Sequence, residues 1–238
     1  VDIDGVLETD NLTVGGAQGT DGQVLTSTGS GVGWEDAGGG VTFKQAGTNF
    51  ANSLMVGDDS TGTLSSASAN TGVGIDIFAA LTSGTDNTVM GFGSGKAITT
   101  GAVNTAMGSG SLDALTASTN PNVAIGGGAL GAMTHGDGGN TACGYRALEG
   151  LITGSGNTAI GLTTALAVTT ATNNTLLGLS AGQAVTTGGD NNCMGNASGV
   201  QITTGGNNLC LGTSSGTANN PGGAIITESN QIVIGNAS

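Results

Sequence analysis

From residue 70 onward one apolar and polar pattern recurs along the chain. An Asn is followed three residues later by an apolar residue and four residues later by Gly. The Asn positions are Asn70, Asn87, Asn104, Asn122, Asn140, Asn157, Asn174, Asn191 and Asn208, at steps of 17 or 18 residues. The matching glycines run from Gly74 to Gly212. Self-similarity at a fixed period marks a repeat architecture.

Counting each of these Asn as position 0, position +3 holds Val73, Met90, Met107, Ile125, Cys143, Ile160, Leu177, Met194 and Leu211. Every member is apolar, so this column is expected in the core. Position +2 is mostly small and apolar: Gly72, Val89, Ala106, Ala124, Ala142, Ala159, Leu176, Cys193 and Cys210. Neighbouring residues of a strand point to opposite faces. A short strand that avoids water on both faces is therefore expected, with its own core on one side and a partner on the other. The larger +3 column is assigned to the core. Ala106, Ala124, Ala142, Ala159, Cys193 and Cys210 are assigned to a contact between chains about a threefold axis.

A second strand is expected at the column Leu81, Ile98, Leu115, Met133, Leu151, Val168, Val185 and Ile202, usually trailed by Thr. Between the two strands a small residue (Ser94, Ser111, Ala129, Ala147, Ala181, Ser198, Ser215) beside Gly suits a sharp corner. Recurrent Gly, with Thr and Val, argues against helix. The expected fold is all-β: a β-solenoid or β-roll shaft of about nine rungs, each 17–18 residues long. Rungs of this kind stack about 4.8 Å apart, and the Asn residues form a ladder up the stack.

Four segments follow from the pattern: an N-terminal β-hairpin region (1–40), an irregular β connector (41–69), the repeat shaft (70–218) and a C-terminal capping strand (219–238). The opening V-D-I-D-G-V-L-E-T-D-N-L-T-V alternates, which predicts short strand pairs around Gly5. Val24-Leu25-Thr26 and Val32-Gly33-Trp34 flank a Gly/Ser turn and predict a hairpin, and Gly38 to Gly40 predict a joint or sharp turn. The last period, Gly212 to Gly235, stretches to 23 residues. The β-branched segment I-I-T-E-S-N-Q-I-V-I-G-N-A-S, residues 225–238, is expected to cap the stack or lead into a further domain.

Composition supports order without bulky packing. Of 238 residues 48 are Gly, and only 8% are charged and 3% aromatic, which leaves little for a core of large side chains. The hydrophobic share of 37% is nevertheless too high for a disordered chain. The net charge of −13, with only Lys44, Lys96 and Arg146 basic, speaks against nucleic acid and anionic membrane surfaces as partners. No apolar run is long enough to span a bilayer. The first residues lack the features of a signal peptide and an initiator Met, so a fragment or processed product is expected.

Candidate chemistry is sparse. Cys143, Cys193 and Cys210 fall in core columns without a C-x-x-C spacing, so they are taken as small apolar residues rather than a disulfide or metal site. His135, the single histidine, is expected on a surface loop, and no G-x-S-x-G elbow supplies a nucleophile. H-G-D-G-G-N and G-G-D-N-N are similar to calcium-binding nonapeptides but lack the nine-residue period, and are taken as turns. Asp2, Asp4, Glu8 and Asp10 are expected to form a solvated acidic edge rather than a cation site. The Thr pairs at 99–100, 169–170, 186–187 and 203–204 suit solvent-facing strand positions, with sugar or ice contact as the functional alternatives. Acidic residues in the repeats are Asp76, Asp86, Asp113, Asp137, Glu149 and Asp190, too scattered for the carboxylate pair of a glycosidase. No catalytic residue, metal site or cofactor is expected, and the chain is expected not to be an enzyme.

The units N-T-A-I-G-x-x-A-L and N-T-x-x-G-x-x-S-G-x-A-x-T-T-G resemble the repeats of bacteriophage tail fibres, especially those of marine phages and cyanophages. Residues 19–34, G-T-D-G-Q-V-L-T-S-T-G-S-G-V-G-W, are similar to a hairpin element of such fibres. Residues 229–236, S-N-Q-I-V-I-G-N, resemble the segment that precedes a self-cleaving C-terminal chaperone in many fibres and tailspikes. The repeats also resemble the heads of trimeric autotransporter adhesins, whose period is shorter. Both families imply a trimeric fibrous assembly, intertwined or side by side, on a virion or outside a cell, that contributes to attachment. The partners they imply are further copies of the chain, other virion or fibre proteins, and cell-surface glycans. A cellular surface adhesin or extracellular filament subunit with the same shaft stays open as the alternative.

Overall fold

Each repeat closes into one turn of a coil because several of its residues take positive φ. At position +4 the Gly residues from Gly74 to Gly212 have φ between +108° and +144°. A Cβ on any of them from Gly74 to Gly195 would come closer than 3.0 Å to backbone of the glycine one rung on. Only Gly permits both the angle and the approach. Further left-handed residues stand at +6, at +8 and, except at Pro121, immediately before each Asn, among them Arg146, Leu148 and Asp190 at +56°, +53° and +59°.

The computed structural model describes residues 13–14, 17–18, 23–27, 32–36, 43–57, 61–117, 121–135, 138–218 and 223–235. They fall in two units, Val1–Val41 and Thr42–Ser238. In the first, β1 (Thr13–Val14) pairs antiparallel with β2 (Ala17–Gln18). There β3 (Gln23–Ser27) pairs antiparallel with β4 (Val32–Asp36), setting Leu25 opposite Trp34, as the hairpin expectation required. The alternation around Gly5 and the joint at Gly38–Gly40 lie outside the described residues.

The second unit is the solenoid. β5 (Phe43–Gly47) runs antiparallel to β6 (Phe50–Val56), and β7 (Ala67–Ser68) pairs parallel with β6. The rungs follow as β8 (Thr71–Val73), β9 (Thr88–Met90), β10 (Thr105–Met107), β11 (Val123–Ile125) and β12 (Thr141–Cys143). They continue as β13 (Thr158–Ile160), β14 (Thr175–Leu177), β15 (Asn192–Met194), β16 (Leu209–Leu211) and β17 (Ile232–Ile234). From β6 through β8 to β17 neighbours pair parallel and in register, so equal repeat positions stack. Coiling thus begins in β6, inside the segment expected as a connector. It also continues through the long last period, where β17 sets Val233 beside Cys210.

Two sequence expectations are corrected here. No second strand forms at the column of Leu81, Leu115 and Val168. That wall is a run of turns, because left-handed residues such as Leu112 and Leu148 interrupt any extended segment. Its backbone still bonds between rungs: Ala165 N–H donates to Ala181 C=O at 3.0 Å and Thr169 N–H to Thr186 C=O at 2.9 Å.

The second correction exchanges the faces of the strand. The small +2 column points inward: Ala106, Ala124, Ala142, Ala159, Cys193 and Cys210 are fully buried in their own coil and cannot meet a partner. The +3 column expected in the core points outward: Val73, Met90, Met107, Ile125, Ile160 and Met194 are 38–45% exposed. Cys143, Leu177 and Leu211 in the same column are half-buried. The reason is room. The coil interior also receives residues +7, +8 and +11 from the turn wall, including Leu112, Leu115, Leu148 and Leu151, all fully buried.

Positions +2 and +8 share that space reciprocally. Ala106, Ala124 and Ala142 stand with Leu112, Leu130 and Leu148. Val89, Leu176 and Cys210 stand with Gly95, Gly182 and Gly216, where a Cβ would lie 2.8, 2.7 and 2.9 Å from the partner side chain. At most one large residue fits at these two positions of a rung, and it enters from either wall; the Ala159/Ala165 rung has none. Ala142→Leu alone is expected to overpack the rung and destabilise it by about 1–3 kcal/mol. Adding Leu148→Gly should recover most of that loss, since the double variant copies the Leu176/Gly182 rung. Urea midpoints of the two singles and the double decide it; strictly additive effects would refute the pairing.

Candidate functional site on the outer faces

The nine expected Asn residues come together as one interior column, each at most 1% exposed. Asn157 shows the pattern. Its Nδ2 donates to Ala171 C=O of the same rung at 2.8 Å and to Asn140 Oδ1 of the preceding rung at 3.1 Å. Its Oδ1 accepts from the N–H and Nδ2 of Asn174 at 3.1 and 3.0 Å. The bond fourteen residues ahead closes a rung, and the bond seventeen ahead joins it to the next. At the last rung Gln231 replaces Asn, and its N–H still donates to Asn208 Oδ1 at 2.9 Å. The ladder holds the fold and has no access to solvent.

The Thr pairs divide their work. The first hydroxyl of a pair donates to a carbonyl one rung on, as from Thr99 to Thr116 C=O at 2.9 Å and from Thr203 to Ile226 C=O at 3.0 Å. The second residue, as at Thr100, Thr170 and Thr187, is exposed. All three cysteines are free. Cys193 and Cys210 lie side by side in the core, where the hydrogen bond to Cys210 and burial push the Cys193 thiol well above its usual range. Cys143 is on the outer face. His135 is exposed. Among the described residues no group of three or more His, Cys, Asp or Glu is placed to hold a metal ion, and no helix is long and apolar enough to cross a membrane. Asp2, Asp4, Glu8, Asp10 and Asp137 lie outside the described residues.

Two surface features remain. The first is the outer strand face. Positions +1 and +3 carry only Thr, Val, Asn, Met, Ile, Leu and Cys from β8 to β17, with no charged residue. The second lies past the glycine corner at position +5, where Ile75, Phe92, Tyr145, Leu162 and Leu179 are 48–60% exposed. Sequence reasoning passed over this column; its signal was a large apolar residue directly after the repeat Gly. Near it, at positions +6 and +9, stand Asp76, Lys96, Asp113, Arg146 and Glu149. Lys96 Nζ lies 3.9 Å from Asp76 Oδ2, and Arg146 pairs with Glu149. Partial burial raises the pKa of Asp113, opposed by its own backbone N–H and by Lys96.

No family model, curated protein or solved structure matches the chain.

Proposed function

We propose that the chain is the shaft of a fibre, a structural protein of a phage tail or related virion appendage that contributes to host attachment, assembled as a parallel homotrimer. One observation carries this reading: an uncharged, apolar outer stripe that continues through all ten rungs from β8 to β17. Monomers rarely expose contiguous apolar patches beyond a few hundred Å². At about 40% exposure of large side chains the stripe amounts to several hundred Å², approaching the ~800 Å² per partner of a standard interface. A second copy suits it best, because an identical coil has the same rung spacing and brings the same uncharged column. Each rung closes within its own chain through its Asn, which favours coils lying side by side over intertwined ones. Closed symmetry then prevents open-ended association. The tail-fibre setting comes from the resemblance of the N-T-A-I-G repeats.

Light scattering should return about three times the 22.5 kDa mass of the chain. Ile160→Asp, which puts a charge on the stripe, should give monomers that keep the β signal in circular dichroism. A stable wild-type monomer at micromolar concentration would remove the proposal.

A further inference from the structure

We propose that the depression between Phe92 and Tyr145 binds a neutral oligosaccharide. The site deepens the attachment role proposed above; it rests on that reading for its setting and not for its chemistry.

Phe92, Ser109, Gly127 and Tyr145 are the +5 residues of four successive rungs. They stack directly. Gly110 N–H donates to Phe92 C=O, Gly128 N–H to Ser109 C=O and Arg146 N–H to Gly127 C=O, each at 2.9 Å. Three rung steps therefore separate the two aromatic residues, about 14 Å at the usual spacing. Between them the surface drops, because Ser109-Gly110 and Gly127-Gly128 offer almost no side chain. The depression measures about 440 Å³ and is lined by Ser109, Gly127, Gly128, Tyr145, Arg146 and Glu149; Phe92 stands one rung before Ser109, beyond this lining. The Tyr145 ring lies against Gly127, where a Cβ would stand 3.5 Å from its Cδ2.

Phe92 and Tyr145 are 60% and 58% exposed, and they are the only exposed aromatic side chains among those described. Phe50 and Phe78, by contrast, are buried. Two aromatic platforms at the ends of a small-residue trough suit ligands with flat apolar faces. The rim supplies both hydrogen-bond signs. Arg146 donates, Glu149 accepts, and sugar hydroxyls do both. Glu149 pairs with Arg146, so the trough holds no excess positive charge to select an anion. An extended peptide is a poorer fit. A strand-forming peptide binds by pairing with an open strand edge, and along this wall the backbone already bonds rung to rung.

The chain has a single Tyr. Ring-labelled tyrosine therefore gives one NMR reporter at the site. Cellohexaose, maltohexaose and laminarihexaose would each be titrated into the intact chain, with a proline-rich decapeptide as comparison. At least one sugar should shift the Tyr145 ring saturably. By calorimetry, Tyr145→Ala and Phe92→Ala should each weaken that sugar about tenfold or more. Tyr145→Phe should retain most of the affinity, and Thr187→Ala, elsewhere on the coil, should change nothing. The site is overturned if none of the three sugars shifts the ring at millimolar concentration. It is equally overturned if binding survives Tyr145→Ala, or if only the peptide binds. Light scattering of the same samples reports assembly separately. A monomer that binds sugar would remove the fibre reading and leave this site, and a trimer that binds none would do the reverse.

Discussion

Asn157→Ala should destabilise the shaft by about 4 kcal/mol, more than any single outer-face substitution. The loss is of partners, not of volume. Ala171 C=O, Asn174 N–H and Asn174 Nδ2 each give up a hydrogen bond in a dry interior, and Asn140 Oδ1 gives up one of two. A buried polar group left unsatisfied costs about 1–3 kcal/mol. Water cannot easily replace the missing amide, since the neighbouring Ala159 and Val168 are fully buried. Asn157→Asp should not rescue, because a carboxylate has no donor for Ala171 C=O and would bring a buried charge. Asn196→Ala, at an exposed position, should stay within about 0.5 kcal/mol of wild type. Urea unfolding of the three variants is the measurement. Equal midpoints for Asn157→Ala and Asn196→Ala would show that the ladder is dispensable.

Gly178→Ala should split the shaft rather than merely weaken it. Gly178 has φ +129°, and a Cβ there would lie 2.5 Å from Gly195 O and 2.7 Å from its carbonyl carbon. Neither atom belongs to a flexible side chain, so the rungs must part. Contacts in a solenoid run only between neighbours, and one opened junction uncouples the two halves. Gly93→Ala is the matched control. Gly93 has φ +67°, and a Cβ there would meet nothing within 4 Å, so only the left-handed cost of about 1–2 kcal/mol applies. Hydrogen exchange should reveal the difference. Gly178→Ala is expected to lose protection at Gly195 N–H, whose acceptor is Leu177 C=O, and to unfold in two steps. A single cooperative transition close to that of Gly93→Ala would contradict this account.

The repeat, its period and the stacked Asn column were legible because each depends on a residue type that recurs at one position. The Asn amide closes a rung and joins the next, so its spacing records the coil directly. The orientation of the strand was not legible from alternation. Ala159 and Ile160 must face opposite ways, but alternation does not say which is inside, and size favoured Ile160. The deciding information sat eight residues past the Asn. Gly95, Gly182, Gly199 and Gly216 accompany the larger inward residues Val89, Leu176, Cys193 and Cys210, while Leu accompanies Ala106, Ala124 and Ala142; only the Ala159 rung, with Ala165 at +8, carries a small residue at both positions without Gly. That reciprocity is visible in the chain once positions +2 and +8 are compared. The lost second strand has a different cause. Phe78, Leu112, Leu130 and Leu148 adopt φ from +50° to +53°, a conformation that residues of this kind rarely take. Burial of their side chains overrides the local preference, and nothing in those residue types announces it. The surface between Phe92 and Tyr145 was hidden for a related reason: the two rings are 53 residues apart and come onto one face, three rungs from each other, only through the stacking of the glycine corners.

The rung-to-rung pairing has a mechanical consequence. The parallel rungs from β6 to β17 stack to a height of about 50 Å. A pull between opposite ends loads the junctions in series, so the weakest terminal turn peels first and the others keep their shape. Each uncoiled turn of 17 residues then releases a thread of up to about 60 Å. A short stiff rod can in this way release a tether many times its own length, yielding stepwise under tension while resisting bending between steps.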